Sequence, residues 1–337
     1  MPFTVTIQPS GHRFSVDDGE TVLAAALREG FPLAYGCRDG ACGTCKGRVL
    51  DGTVDYGHHQ ESALSQQDKA AGFALFCCAR PLSDLAIECR EVAAIRDIPV
   101  RKLPCRVQKI VKAAPTVLVV SLKLPANERM QFLAGQYLDF LLKDGTRRSF
   151  SMANAPHDDE LLELHIRNYG GSFSQYAFGT MKERDILRFE GPLGTFFLRD
   201  DSAKPIVLVA GGTGFAPIKA VIEDAFHKGV ERPMALYWGT RVRADLYLDE
   251  LPQRWAREHA GFKYVPVLSE ARPEENWSGR SGLVHQAVME DFADLSGCQV
   301  YVCGVPAMVD AARRDFTTQR ALPESEFYSD SFTPASA

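Results

Sequence analysis

Gly36-Cys37-Arg38-Asp39-Gly40-Ala41-Cys42-Gly43-Thr44-Cys45 carries three cysteines in the pattern C-x4-C-x2-C. Cys77 and Cys78 follow, so five of the nine cysteines lie between residues 37 and 78; Cys89, Cys105, Cys298 and Cys303 are scattered. An odd cysteine count in so long a chain argues against a disulfide framework and turns attention to metal. Thiolates are soft, anionic ligands suited to iron or zinc. Three of them on one tight loop require the backbone to wrap round the ligand. Gly36, Gly40 and Gly43 supply positions without a β-carbon, where amide N–H groups can turn toward sulfur.

Around this loop the chain reads as a small α+β module over residues 1–95. Met1–Ile7 alternates like a strand, and Asp17-Asp18-Gly19 turns it. A short helix is expected from the N-cap Thr21 to Glu29, stopped by Gly30, with Leu23 and Leu27 on one face. A strand is expected near Gly47–Leu50, and Ser65-Gln66-Gln67-Asp68 opens a second short helix that stops at Gly72. Arg96–Pro104, polar with two prolines, reads as a linker. Residues 105–200 hold short strand-like runs at Thr116–Leu124, Gln136–Leu142, Leu161–Arg167 and Ile186–Phe189, a pattern that predicts an antiparallel barrel. Residues 201–337 alternate differently. Strands at Ile206–Ala210, Met234–Trp238, Phe262–Leu268 and Gln299–Cys303 interleave with helices near Ala244–His259, Leu283–Phe292 and Ala307–Arg320. That alternation predicts an α/β domain with a parallel sheet. Thr333–Ala337 reads as a disordered end.

The 337 residues suit two or three domains at roughly 100 to 200 each. With 45% apolar and 24% charged residues the composition is that of a soluble globular chain. The net charge of −5 excludes a generally basic nucleic-acid binder and gives no sign of an anionic-membrane partner. No apolar run approaches the roughly 18 residues needed to span a bilayer, and the start lacks a secretory pattern. A cytoplasmic location is expected.

The C-x4-C-x2-C spacing with a distant fourth cysteine is that of a plant-type [2Fe–2S] centre. The alternative, structural zinc, commonly uses two C-x2-C hooks, and here only one exists. The fourth ligand is Cys77 or Cys78. Residues 1–95 resemble plant-type ferredoxins, which implies a β-grasp fold and a low-potential one-electron carrier. In that likeness Cys77-Cys78-Ala79-Arg80-Pro81 matches the C-x-A-x-P stretch after the last ligand. The ligand set implied is Cys37, Cys42, Cys45 and Cys77, with Cys78 turned along a strand into the core.

The rest of the chain resembles the ferredoxin–NADP reductase family. Arg148-Ser149-Phe150-Ser151 is similar to its R-x-[YF]-S motif. That likeness implies that Arg148 meets the FAD pyrophosphate, Phe150 lies on the isoalloxazine and Ser151 sits near the flavin N5, with Ser149 between them. Leu164-His165-Ile166-Arg167 and Gly171-Ser172-Phe173-Ser174 resemble the second flavin segment, with His165 a candidate for ring contact. Gly211-Gly212-Thr213-Gly214-Phe215-Ala216-Pro217 is similar to the family's G-G-T-G-x-[AT]-P nucleotide turn. Cys303-Gly304-Val305-Pro306 resembles its C-G-x-P segment, which implies Cys303 beside the nicotinamide. Phe332, in Phe327–Phe332, is a candidate flavin shield. After the strand near Trp238, Arg241 and Arg243 can host a 2′-phosphate, whereas Asp245-Leu246-Tyr247 resembles NADH-linked members; NADH is expected, with NADPH open.

The order of the three parts implies electron transfer. NADH gives two electrons as one hydride, a cluster accepts one at a time, and a flavin handles both. The implied route is NADH to FAD to [2Fe–2S] to a separate protein. Longer segments, Gly191–Arg199 and Gly212–Lys219, resemble CDP-6-deoxy-glucoseen reductases, which serve a pyridoxamine-phosphate dehydrase; reductases of aromatic-ring oxygenases are the alternative. A non-catalytic sensor holding the same groups is the competitor from another class. The ferredoxin part is acidic, with 13 acidic against 9 basic residues up to Asp97, which reads first as solvated surface.

Overall fold

The fold comes from a computed structural model that describes residues 2–332. Thr333–Ala337, expected to be disordered, lies outside the described residues. The chain divides into two compact units, with the boundary between Pro99 and Val100.

The first unit contains β1 (Phe3–Gln8), β2 (Arg13–Val16), α1 (Val22–Arg28), β3 (Lys46–Asp51), β4 (Val54–Asp55), α2 (Gln66–Ala70), β5 (Phe73–Leu75), β6 (Arg80–Pro81) and β7 (Leu85–Glu88). Alternation buries Val5, Ile7, Phe14 and Val16 on one sheet face. The sheet runs β2-β1-β7-β3-β5, with β1 and β7 parallel, and β4 pairs β6 separately. Thr21 caps α1 by accepting the Ala24 N–H, and α1 packs against β2 through Val22, Leu23, Ala25 and Ala26. Ser65 and Asp68 form the expected capping box on α2. This mixed sheet around one helix is a β-grasp arrangement.

The second unit opens with β8 (Arg101–Ala114), β9 (Val117–Lys123), β10 (Tyr137–Leu141), β11 (Arg147–Ser151), β12 (Leu162–Arg167), α3 (Ser172–Gly179) and β13 (Ile186–Leu193). Every pairing is antiparallel, in the order β11-β10-β13-β8-β9-β12. A Met152–Leu164 bridge joins the two edges and closes the barrel. The expected linker over Arg96–Pro104 is corrected here, because Arg101–Pro104 already belongs to β8 and pairs with β13. Pro104 is tolerated because β9 joins β8 only from Arg106 onward, so one side of the strand is still free at the proline.

The unit continues with β14 (Ile206–Gly211), α4 (Phe215–His227), β15 (Met234–Thr240), α5 (Glu250–Glu258), β16 (Phe262–Leu268), β17 (Arg280–Ser281), α6 (Val284–Asp291), β18 (Gln299–Gly304), α7 (Pro306–Gln319) and β19 (Phe327–Ser331). The sheet β17-β16-β15-β14-β18-β19 is parallel throughout. One apolar core joins α4 and α5 to one face through Phe215, Ile222, Trp238 and Trp255. Another joins α6 and α7 to the opposite face through Val288, Val300 and Phe316. The helix expected from Ala244 begins only at Glu250, after a 3-10 turn at Arg243–Asp245. Pro252 explains the late start: proline is accepted only in a first helical turn.

Candidate functional site

In the first unit the cysteine loop folds so that Cys37 lies against Cys42 and Cys77 against Cys45. The Cys37 N–H points at Cys42 Sγ and the Asp39 N–H at Cys37 Sγ, each at 3.4 Å. Hydrogen bonds from Cys37 and Thr44 hold the Cys42 thiol below its ordinary range against the opposing effect of burial. Gly40 has φ +71°, and a β-carbon there would come within 2.8 Å of Cys78 Sγ and of the His58 carbonyl. Only glycine lets the loop pass this close.

Among the described residues no three such ligands converge on a single-ion position. Two sulfur pairs with inward amides fit two irons carrying two thiolates each, the all-sulfur donor set of a [2Fe–2S] centre. The expectation that Cys78 points into the core is corrected. Cys77 and Cys78 lie on a turn, not a strand, with the Cys78 and Ala79 N–H groups donating to the Leu75 carbonyl. The turn leaves Cys78 half-buried, its sulfur 3.6 Å from that of Cys77.

On the barrel, β11 presents Arg148 and Phe150, both half-buried, and ends on the buried Ser151. Phe150 lies 5.0 Å from the Phe173 ring and 5.8 Å from Phe140. The Ser149 hydroxyl donates to Asp139 at 2.6 Å. Gly171, the N-cap of α3, has open space where a β-carbon would stand, and Ser172 beside it is exposed. The first amides of α3 therefore remain open to a phosphate. Phe173 is in the barrel core, while Ser174 is buried with its hydroxyl donating to the Gly171 carbonyl. Together with the Arg148 guanidinium, this arrangement fits an FAD pyrophosphate.

The nucleotide turn follows β14. Gly211 and Gly304 face each other, and a β-carbon on Gly214 would lie 2.1 Å from the Cys303 carbonyl oxygen. The glycines thus seat the turn directly on the end of β18, with Thr213 buried and Pro217 inside the first turn of α4. Trp238 Nε1 donates to the Gly212 carbonyl at 2.9 Å while its ring stacks on Phe215. Pro306 starts α7 after the N-cap Val305, which follows Gly304. Arg241 is exposed beyond the end of β15. Cys303 is fully buried, and burial together with the Asp330 charge pushes its thiol well up, so it stays neutral. Phe332 is partly buried against the α4 core, its N–H donating to the Gly304 carbonyl.

Asp330 completes this constellation. It stands opposite Cys303 in the β18–β19 register, and the Ser151 hydroxyl donates to its carboxylate at 3.4 Å. Barrel and parallel sheet therefore meet at Ser151, Asp330 and Cys303. Three outward residues of β12 also find partners in the sheet half. Glu163 accepts from Lys219, His165 contacts Tyr247 and Arg167 contacts Asp245. His165 has both ring nitrogens engaged, Nδ1 with Tyr247 and Nε2 with Glu163, and burial lowers its pKa. Its neighbours are side chains, so it is set into the contact between barrel and sheet.

Comparison with known proteins agrees with this arrangement along the whole length. Residues 5–82 match the 2Fe-2S iron-sulfur cluster binding domain, 104–198 the oxidoreductase FAD-binding domain and 208–314 the oxidoreductase NAD-binding domain. The CDP-6-deoxy-L-threo-D-glycero-4-hexulose-3-dehydrase reductase of Yersinia pseudotuberculosis is 40% identical over 336 residues, 99% of this chain and 100% of that protein. The chain belongs to the ferredoxin–NAD(P)H reductase family with an N-terminal [2Fe–2S] domain.

Within this reductase family, the phenol 2-monooxygenase reductase component DmpP of Pseudomonas sp. strain CF600 is 38% identical over 99% of this chain and 96% of its own length. The solved Amycolatopsis reductase GcoB superposes with a TM-score of 0.80 at 36% identity, covering 99% of this chain and 100% of that one. The protein is an oxidoreductase using a [2Fe–2S] cluster, FAD and a nicotinamide dinucleotide to pass electrons to a protein acceptor. Among the described residues no helix is long and apolar enough to cross a membrane.

Sequence reasoning missed Asp330, Lys219 and Tyr247 as functional residues. Asp330 had a signal. Strand alternation puts it on the same face as Tyr328 and Phe332, but the aromatics drew the reading. Lys219 and Tyr247 gave no sign of these contacts, because their partners across the junction lie 56 to 82 residues away.

Proposed function

We propose that this reductase takes electrons from NADH in preference to NADPH and delivers them in the cytoplasm to a pyridoxamine-phosphate dehydrase. The proposed domains are residues 1–95, 105–200 and 201–337. The observation that carries the reading is the convergence of Ser151, Asp330 and Cys303 beside the Gly211–Gly214 turn. That junction unites a barrel motif suited to flavin with a turn suited to a dinucleotide. When bound, FAD accepts hydride from the dinucleotide and releases electrons singly to the cluster.

The chain's own residues have distinct tasks in this proposal. Arg148 and the α3 amides hold the pyrophosphate, and Phe150 offers its remaining face to the isoalloxazine. Ser151, its hydroxyl proton held by Asp330, offers an oxygen lone pair toward N5. Cys303, buried in this structure, supplies a neutral, polarisable neighbour for the nicotinamide once Phe332 gives way to the dinucleotide. Cys37, Cys42, Cys45 and Cys77 hold the cluster.

NADH is favoured by the surroundings of the two arginines. The Arg243 N–H donates to the Glu275 carboxylate at 3.0 Å, and its guanidinium reaches the Glu275 carbonyl. A carboxylate placed there repels a dianionic 2′-phosphate. A dehydrase acceptor is supported by the 40% identity to a dehydrase reductase over the full length. The second reading, an aromatic-oxygenase acceptor, is supported by likeness to DmpP at 38%. Steady-state kinetics with both nucleotides, followed by reconstituted turnover with a purified dehydrase and with an oxygenase component, test the proposal. A higher kcat/KM for NADH and coupled dehydrase turnover are expected. A higher value for NADPH overturns the nucleotide assignment, and turnover with the oxygenase alone overturns the acceptor.

A further inference from the structure

Lys219 is only 9% exposed on α4, yet it carries an ammonium. Its three N–H donors find three acceptors: the Ala153 carbonyl at 3.0 Å, Glu223 at 2.9 Å and Glu163 at 3.3 Å. These come from different parts of the molecule. Ala153 is two residues past Ser151, Glu163 is on β12, and Glu223 is one turn further along α4. The Ala153 N–H also donates to the Glu163 carbonyl at 2.7 Å, so both barrel acceptors belong to one rigid pairing. The nucleotide turn stands just before the start of α4, about one helical turn from Lys219. Lys219 thus ties the strand end that carries Ser151 to the helix that follows Gly211–Gly214.

A buried ion is a weak source of stability, since desolvation largely cancels its attraction. An apolar side chain of similar volume could fill the same space. What apolar packing does not supply is register, because smooth surfaces can slide while a cation held by three directed acceptors cannot. His165 extends the clasp. Its Nε2–H donates to the acceptor-only Glu163 carboxylate, and its Nδ1 accepts the Tyr247 hydroxyl proton at 2.8 Å. Hydride transfer depends steeply on donor–acceptor placement, so small slips between the halves matter.

We propose that Lys219, held by Glu163, Glu223 and the Ala153 carbonyl, is a positioning residue for flavin reduction. It fixes the register between the flavin-bearing strands and the nucleotide-bearing helix. This rests on the site reading above, with Ser151 on the flavin side and Gly211–Gly214 on the dinucleotide side.

The test is anaerobic stopped-flow reduction of the holoenzyme by NADH, using Lys219→Met/Glu163→Gln, Glu163→Gln alone and Ser151→Ala. In the double variant the limiting rate of flavin bleaching should fall about tenfold or more. The Kd for NADH and the thermal midpoint should stay close to wild type. Amide hydrogen exchange, which needs no turnover, should rise at Met152, Ala153 and β12. Glu163→Gln alone keeps the side-chain shape and should slow bleaching less; it decides the matter if the double variant loses flavin. Wild-type bleaching in a flavin-loaded variant overturns the proposal, as does a loss of bleaching rate matched by an equal loss of NADH affinity or, in the double variant, of thermal stability. If Ser151→Ala is slow while the Lys219 and Glu163 variants are fast, only the register proposal falls. If Ser151→Ala is also fast, the site reading falls with it.

Discussion

Cys77 and Cys78 occupy neighbouring positions on one turn, with sulfurs 3.6 Å apart, yet their surroundings differ. Cys77 is buried against Cys45 and receives the Gly40 amide; Cys78 is half-buried beside Gly40 and His58. A ligand thiolate needs both a metal-facing sulfur and amide donors that spread its charge. Cys77 has the donor and the partner. Cys77→Ser should therefore strip the iron–sulfur absorption from purified protein, whereas Cys78→Ser should retain it. Visible spectra and iron content read the difference, and loss of the chromophore in Cys78→Ser would reverse the assignment. The spacing of Cys37, Cys42 and Cys45 was legible because ligands on one loop are close in sequence. The orientation of Cys78 was not, because it depends on a turn closed by hydrogen bonds to the Leu75 carbonyl.

The glycine-rich elements separate two uses of a missing side chain. Gly214 has an ordinary helical φ of −57°, so its constraint is steric: the absent β-carbon would meet the Cys303 carbonyl at 2.1 Å. Gly171 faces open space, so nothing in the chain bars a β-carbon there, and in the proposed reading only the FAD pyrophosphate would meet one. Gly214→Ala should push α4 off the end of β18, weakening NADH binding and slowing flavin reduction by about tenfold or more, with cluster absorption intact. Gly171→Ala should fold normally and lose FAD more readily on dialysis. Nucleotide titration and flavin-retention measurements distinguish these outcomes; equal behaviour of the two variants would contradict the division. Strand and helix order were readable because apolar period and caps are local signals. The start of β8 and of α5 misled for local reasons. At Pro104 an open strand side tolerates proline, and the apolar run Leu246–Leu248 imitates a helix before Pro252 sets the actual start.

At the scale of the whole molecule, the second unit depends on polar contacts that no single segment reveals. Glu163, His165 and Arg167 alternate along β12, and each meets a side chain supplied by the parallel-sheet half. Glu163 gives this junction a pH signature. Burial alone would raise its carboxyl, but His165 and Lys219 together hold it at about 2, below its usual 4.5. A carboxyl depressed in the folded state stabilises fully above the unfolded pKa, and that contribution fades as pH falls from about 4.5 toward 2. A shift of this size corresponds to about 3 kcal/mol. Trp238, Trp255 and Trp277 all lie in the second unit, so tryptophan fluorescence reports its unfolding alone. Urea midpoints followed this way should show Glu163→Gln less stable than wild type at about pH 6, with the gap closing as pH approaches about 2. A gap that stays constant across that range would show that the Glu163 charge does not hold the two halves together, and the junction would then rest on apolar packing.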